Sequence, residues 1–289
     1  MKGSLLRWTA TPLALSGLLL TGCSSADRGG RIAASFYPLA FLAERVAGPG
    51  WKVIDLTPAG AEAHDVELTL ETRTELERAE LVLYMGDFGF QPQVEEAVLE
   101  AEGTVVAMGE LLIHFPETTS DPHVWLDPGA MRTMSAVIAR TLAEIDPGGG
   151  YRDRAEPIRS DLADLSEEYE ATLHPEKCTF ETAIVSHEAF NYILGRYGLR
   201  QFGLAGLEPE AEPTLGRLAM AEALLARGEA GAVFFETGGE AERIARTVAE
   251  DAGVPALPLG TLESRPPSSD YLSVMEDNLA SLRRGLGCE

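Results

Sequence analysis

Short apolar runs alternate with amphipathic helical stretches twice along this chain, once on each side of a long charged segment. That alternation limits the fold more than any other feature. Candidate strands lie at 32–36, 53–56, 81–85 and 105–108, and again at 183–185, 201–204, 232–235 and 254–257. Helical stretches fall at 38–47, 70–78, 91–100 and 129–145, then at 188–197, 213–227, 240–252 and 269–286. Asp146-Pro-Gly-Gly-Gly150 separates the halves, a run that breaks any regular structure. Strand–helix alternation implies parallel strands joined by right-handed crossovers. The expected fold is α/β: two lobes, each a four-stranded parallel sheet flanked by helices.

The charged segment at 151–173 carries one apolar stripe: Tyr151, Ala155, Ile158, Leu162, Leu165, Tyr169 and Leu173. Steps of three and four place all seven on one helix face. At 1.5 Å per residue such a helix reaches roughly 35 Å, about the height of a small domain. It is expected to lie along both lobes and join them. Pro157 should kink it, or place its start near Glu156.

The first residues read as a secretory leader. Lys2 and Arg7 precede an apolar run at 13–20, too short to span a bilayer as a mature helix. Leu20-Thr-Gly-Cys23 then resembles a bacterial lipobox, in which the cysteine is lipidated and becomes the first mature residue; an ordinary cleaved leader with a chance cysteine is the alternative. No later segment has the ~18 consecutive apolar residues of a membrane-spanning helix. The expected layout is a leader at 1–22, a lipid-anchored tether at 23–30, an N-terminal lobe at 31–147, a connecting helix at 148–175 and a C-terminal lobe at 176–289. Beyond Cys23, only Cys178 and Cys288 remain. In an exported chain such a pair is expected to form a disulfide, with separate thiols or a cysteine metal site as alternatives.

The net charge is −23, and removal of Lys2 and Arg7 leaves the mature body more acidic still. Nucleic acid is not a plausible partner for such a surface, whereas cations are drawn toward it.

The chain has only five histidines, and three occupy distinctive settings just past candidate strands. They are Pro58-Ala-Gly-Ala-Glu-Ala-His64-Asp65, Asp121-Pro-His123-Val-Trp-Leu-Asp127-Pro128 and Ser186-His187-Glu-Ala-Phe190-Asn-Tyr192. Neutral imidazole is the commonest protein ligand for a borderline-soft divalent ion. In parallel α/β sheets ligands bind beyond the carboxyl ends of strands. His64 follows the second strand, His123 the fourth and His187 the fifth, so an ion held by all three would tie the lobes together. His114 and His174 lack such settings and read as structural; an imidazole at the end of the long helix suits the helix dipole.

With these pieces in order, the chain resembles the zinc/manganese solute-binding lipoproteins of bacterial ABC importers, the cluster with a single long connecting helix. The likeness covers 32–286. It is carried by the three histidine settings and Ser35-Phe-Tyr-Pro38, with Tyr197-Gly-Leu199, Glu212-Pro213 and Val233-Phe-Phe-Glu236 after them. The last helix adds Tyr271-Leu-x-x-Met275-x-x-Asn278-Leu-x-x-Leu282. It implies that His64, His123 and His187 are metal ligands in the cleft between lobes. Manganese-selective members often carry Glu at the third position; His187 shifts the donor set toward nitrogen and toward Zn²⁺, with Mn²⁺ the lesser option. No His-rich loop is present.

The fourth position departs from the family. Members usually carry Asp in a Leu-Asp-Pro-Leu type motif after the last strand, where this chain has Leu257, which cannot coordinate. Water, Glu263 or Glu236 remain. Sheet order favours Glu236, because in a 2-1-3-4 lobe the seventh strand lies between the fifth and the eighth. Its other role would be to accept a hydrogen bond from His187. Asp65 and Asp127 are expected to orient imidazoles or to cap helices. Phe36, Tyr37, Trp125 and Phe190 are expected to wall out water.

The resemblance implies a monomeric, non-enzymatic carrier at the outer face of the cell membrane that captures Zn²⁺ and delivers it to an ABC permease. A zinc hydrolase or lyase using three histidines and water is the alternative of another class, though no His-Glu-x-x-His motif is present. A surface adhesin is a third.

Overall fold

The computed structural model describes residues 30–112, 121–237 and 239–289. The leader at 1–22, Cys23 with most of its tether, and His114 lie outside the described residues. Strands β1 (Arg31–Ala34), β2 (Lys52–Asp55), β3 (Leu81–Tyr84) and β4 (Thr104–Ala107) form one parallel sheet in the order β2-β1-β3-β4. Strands β5 (Thr182–Val185), β6 (Arg200–Gly203), β7 (Val233–Phe235) and β8 (Ala256–Pro258) form the second, in the order β6-β5-β7-β8. Helices α1 (Tyr37–Ala47), α2 (Leu70–Glu77), α3 (Pro92–Ala97) and α4 (Pro128–Ile145) flank the first sheet. After the connecting helix α5 (Tyr151–Thr172), the second lobe carries α6 (Asn191–Arg196), α7 (Leu215–Ala226), α8 (Gly239–Ala252) and α9 (Tyr271–Leu286).

The central strands are apolar on both faces, as parallel strands covered by helices must be. Along β1 and β3, Ile32, Ala34, Leu81 and Leu83 point into one core and Ala33, Val82 and Tyr84 into another. In the second lobe Ala183, Val185 and Phe234 join the first core, while Ile184, Val233 and Phe235 face a third. The inner faces of both sheets therefore share one hydrophobic core, and each outer face has its own.

Helix α5 closes that shared core. All seven residues of its predicted stripe are buried in it. Its first turn is pinned to the N-terminal lobe. The Trp51 Nε1–H donates to the Tyr151 hydroxyl at 2.7 Å, and that hydroxyl donates to Asp146 at 2.7 Å. Arg154 donates to the carbonyls of Val46 (3.0 Å) and Ala47 (2.9 Å). These bonds start the helix at Tyr151, behind a left-handed Gly150 (φ 71°), and Pro157 lies inside it instead of opening it. At the far end the Tyr169 hydroxyl donates to the Met275 carbonyl of α9 at 2.7 Å. His174, just beyond, accepts the Glu176 N–H.

Several helices are shorter than their sequence pattern, and in two of them single hydrogen bonds set the start. The stretch at 186–190 is an irregular turn, with the Phe190 N–H donated to the Gln201 side chain at 2.8 Å, so α6 begins only at Asn191. Helix α7 begins at Leu215 because Thr214 caps it, accepting the Arg217 N–H at 3.2 Å.

Cys178 and Cys288 meet as an isolated antiparallel bridge, with sulfurs 2.07 Å apart and a sequence separation of 110. A bond there ties the end of α9 to the entry of the second lobe. Intact mass with and without reduction is expected to differ by two hydrogens. The Cys178→Ser/Cys288→Ser variant is expected to lose about 2–5 kcal/mol in urea unfolding. Two freely alkylated thiols in native, unreduced protein would contradict the pairing.

Candidate metal centre

Each histidine follows a strand in sequence, His187 directly and His64 and His123 after longer segments. His64 sits in the irregular segment after β2, and His123 opens a short 3-10 turn (His123–Leu126) that feeds α4. His187 lies two residues past β5. Asp127 caps α4, accepting the Gly129 N–H at 2.8 Å, and receives Arg196 from the other lobe. Glu263 arrives from the loop after β8. Gly260 exchanges two hydrogen bonds with the Asn278 side chain, 2.7 and 2.8 Å. Leu262 then takes a left-handed conformation (φ 60°), unusual for a non-glycine residue, and turns the chain back toward the histidines. The Trp125 indole N–H of the first lobe donates to the Thr261 carbonyl at 2.8 Å and holds this loop across the cleft.

Four side chains converge. One donor atom from each of His64, His123, His187 and Glu263 lies within 4.8 Å of all the others. His123 Nε2 and His187 Nε2 are 3.4 Å apart. Glu263 Oε1 stands 3.5 Å from His123 Nε2 and 3.4 Å from His187 Nε2, and its Oε2 is 3.7 Å from His64 Nε2. A tetrahedral ion with bonds of 2.0–2.1 Å needs donors about 3.3–3.4 Å apart. The side chains are only 5% (His64), 0% (His123), 1% (His187) and 1% (Glu263) exposed, so water does not solvate them.

The outward nitrogens also face carboxylates. His123 Nδ1–H donates to Asp121 at 2.8 Å, and His187 Nδ1–H donates to Glu236 at 2.5 Å. The Thr261 hydroxyl holds the second Glu236 oxygen at 2.6 Å. Because carboxylates only accept, each Nδ1 carries a hydrogen, which leaves Nε2 as the nitrogen that offers a lone pair to an ion once its own proton is displaced. His64 Nδ1 faces Glu208 at 3.3 Å without hydrogen-bond geometry. Both His64 nitrogens and both Glu263 oxygens are buried without a hydrogen-bond partner. Unsatisfied buried polar atoms are costly, and a divalent cation bound among them would satisfy the inward-facing donors.

Charge is distributed unevenly over the metal-free cluster. Burial works against a charged His187, but Glu236 and Glu263 more than offset it and raise its pKa to about 10. Burial likewise opposes a charged His123, which Asp121 and Glu263 nevertheless raise. Burial also disfavours the Glu263 carboxylate, yet His123 and His187 hold it well below the usual range. His64 is lowered by burial, with Glu263 acting against the shift.

The structure reorders one expectation. Glu263, not Glu236, joins the three imidazoles. Glu236 stands at the end of β7, beside β5, and reaches the Nδ1 side of His187. The loop turned back at Leu262 carries Glu263 to the Nε2 side. Leu257 packs into the shared core. Asp65 is exposed and orients no imidazole. Asp121, which does, was legible only as the residue two before His123. The expected aromatic wall is present only in part: Trp125 backed by Phe36 stands at the site, Tyr37 instead packs with Phe41 and Arg265, and Phe90, which was not expected, takes a place in it. The Trp125 ring lies 5.0 Å from His123 and 4.6 Å from Phe36, and Phe90 meets His64 edge-on at 4.6 Å.

Residues 32–285 match the model of the family described as "Zinc-uptake complex component A periplasmic". The chain belongs to this family. The zinc-binding lipoprotein AdcA of Streptococcus pneumoniae is 27% identical over 93% of this chain, which spans 59% of that relative's length. The laminin-binding protein Lmb of Streptococcus agalactiae, described as having adhesin and metal-transporting activity, has a similar structure. Its TM-score is 0.80 at 26% identity, over 89% of this chain and 100% of that one. The Zn(II)-bound ZnuA-like domain of S. pneumoniae AdcA gives 0.77 at 26% identity, over 89% of this chain and 99% of that domain. The two-lobe architecture is therefore the family's own.

The raised histidines make the metal-free protein pH-sensitive. A pKa raised from 6.5 to about 10 gives His187 a stabilising contribution that is complete below 6.5 and lost as pH climbs toward 10. Depressed Glu263 and His64 act at the other end, where stability is lost as pH falls. Urea unfolding of metal-free protein is expected to show falling stability between about pH 7 and 10, with a shallower slope in His187→Gln. Stability that rises over that interval would contradict the charge assignment.

Proposed function

We propose that this protein is an extracytoplasmic solute-binding protein that captures one Zn²⁺ through His64, His123, His187 and Glu263. It delivers the ion to an ABC permease while anchored to the membrane by lipid on Cys23. The observation that carries the reading is the set of four buried donors within 4.8 Å of one another, with His123, His187 and Glu263 3.4–3.5 Å apart and Glu263 3.7 Å from His64. Three imidazoles and one carboxylate in a four-point arrangement suit Zn²⁺ better than Mn²⁺, which prefers six oxygen-rich positions. Glu236 serves by orienting His187. Family membership and the likeness to a zinc-binding lipoprotein support the same cargo.

A catalytic zinc site keeps one position open for water or substrate. Here a fourth protein side chain stands where that position would be, which favours storage and release over turnover. The likeness to a laminin-binding protein gives surface adhesion as a second reading. It would reside on the outer surface and not in the buried cluster.

Metal analysis after equilibrium with equal Zn²⁺ and Mn²⁺ is expected to return one zinc per chain. Glu263→Gln and His187→Ala should each weaken zinc binding more than 100-fold, while Glu236→Gln, which leaves the donors in place, should cost about 10–100-fold. A Glu263→Gln variant with wild-type affinity, or a larger loss in Glu236→Gln, would overturn the ligand set.

A further inference from the structure

His64 differs from its two partners in what stands behind it. Asp121 and Glu236 belong to the same lobe as the histidines they hold, and both make direct hydrogen bonds. His64 sits on an irregular loop, and its only carboxylate at Nδ1 among the described residues is Glu208, 3.3 Å away. Glu208 comes from the other lobe, on the loop between β6 and α7, and its side chain is 67% exposed. The two loops face each other at the mouth of the cleft. Ala59, Gly60 and Glu62 line it from the first lobe, and Pro209, Glu210 and Glu212 line it from the second.

We infer that Glu208 is a positioning residue for His64, completing a third carboxylate–histidine–metal arrangement across the lobe boundary. The inference rests on the metal-binding reading of this centre. A small rotation of the exposed carboxylate brings it onto the Nδ1–H, fixes the tautomer with the Nε2 lone pair inward, and raises the basicity of that nitrogen. Asp121 and Glu236 hold their imidazoles however the lobes sit. Glu208 holds His64 only while its own loop lies across the cleft. The grip on the ion through His64 is therefore contingent on that loop. Any partner that lifts the loop loosens His64 first and leaves His123, His187 and Glu263 in place. Glu208 thus governs how fast cargo leaves more than whether it binds.

The test uses full-length mature protein loaded with one equivalent of Zn²⁺. Release to excess EDTA is followed for wild type, Glu208→Gln, Glu208→Asp and Glu210→Gln. Glu208→Gln is expected to speed release about tenfold, the low end for an outer carboxylate because it is exposed and screened. Glu208→Asp should recover part of the loss, and Glu210→Gln should stay within about twofold of wild type. The ¹⁵N-bonded Nδ1–H resonance of His64 in the zinc-bound protein should shift in Glu208→Gln while those of His123 and His187 do not. The urea midpoint of metal-free Glu208→Gln should match wild type, since the Glu208 side chain is 67% exposed. Raised salt should bring wild-type release toward the variant's rate. Release rates and a His64 resonance identical in wild type and Glu208→Gln would overturn the inference while leaving the zinc reading intact. Wild-type protein that binds no zinc would overturn both.

Discussion

The inner faces of both sheets pack into one continuous hydrophobic core, so the lobes cannot swing widely apart without exposing it. Ile32, Leu83, Val185 and Phe234 belong to that core together with the whole apolar stripe of α5 and the buried face of α9. The Tyr271 hydroxyl of α9 donates to the Trp125 carbonyl at 2.7 Å, and the Tyr192 hydroxyl of α6 donates to the Asp121 carbonyl at 2.8 Å. The segment that carries His123 is thereby clasped by the lobe that carries His187 and Glu263. His64 and Glu208 meet at the mouth of the cleft, each on an irregular loop.

A second consequence is electrostatic. Three imidazoles and a carboxylate are drawn into a nearly dry space, with carboxylates behind the histidines. In the metal-free state protons on His187 and His123 do part of the work of a cation, which is why their pKa values rise despite burial. An arriving divalent ion exchanges for those protons. The net charge of the cluster therefore changes little when an ion replaces those protons.

The sheet architecture was legible because its signal is local and repeated. Eight short apolar runs at regular intervals demand two parallel sheets, and the stripe from Tyr151 to Leu173 demands one long helix. The three histidines were legible for the same reason: each comes after a strand whose carboxyl end opens on the cleft. Element boundaries were less so. Thr214 and Phe190 decide where α7 and α6 begin through single hydrogen bonds to Arg217 and Gln201, which no periodicity records. Pro157 sits inside α5 because distant residues, Trp51, Val46 and Ala47, hold the turn before it.

The choice between Glu236 and Glu263 belonged to the tertiary structure alone. Both are acidic residues near strand ends of the same sheet, and strand order by itself points to Glu236. The deciding feature is a left-handed backbone at Leu262, set by the Asn278 clamp on Gly260 and the Trp125 bond to Thr261. Those contacts span 18 and 136 residues of sequence. By itself the sequence determined the two lobes, the helix that joins them and the three imidazoles, because short-range pattern dictates strands and the residues at their carboxyl ends. Which carboxylate faces the inner nitrogens, and which stand behind the outer ones, depended on angles between elements far apart in the chain, and only packing sets those angles.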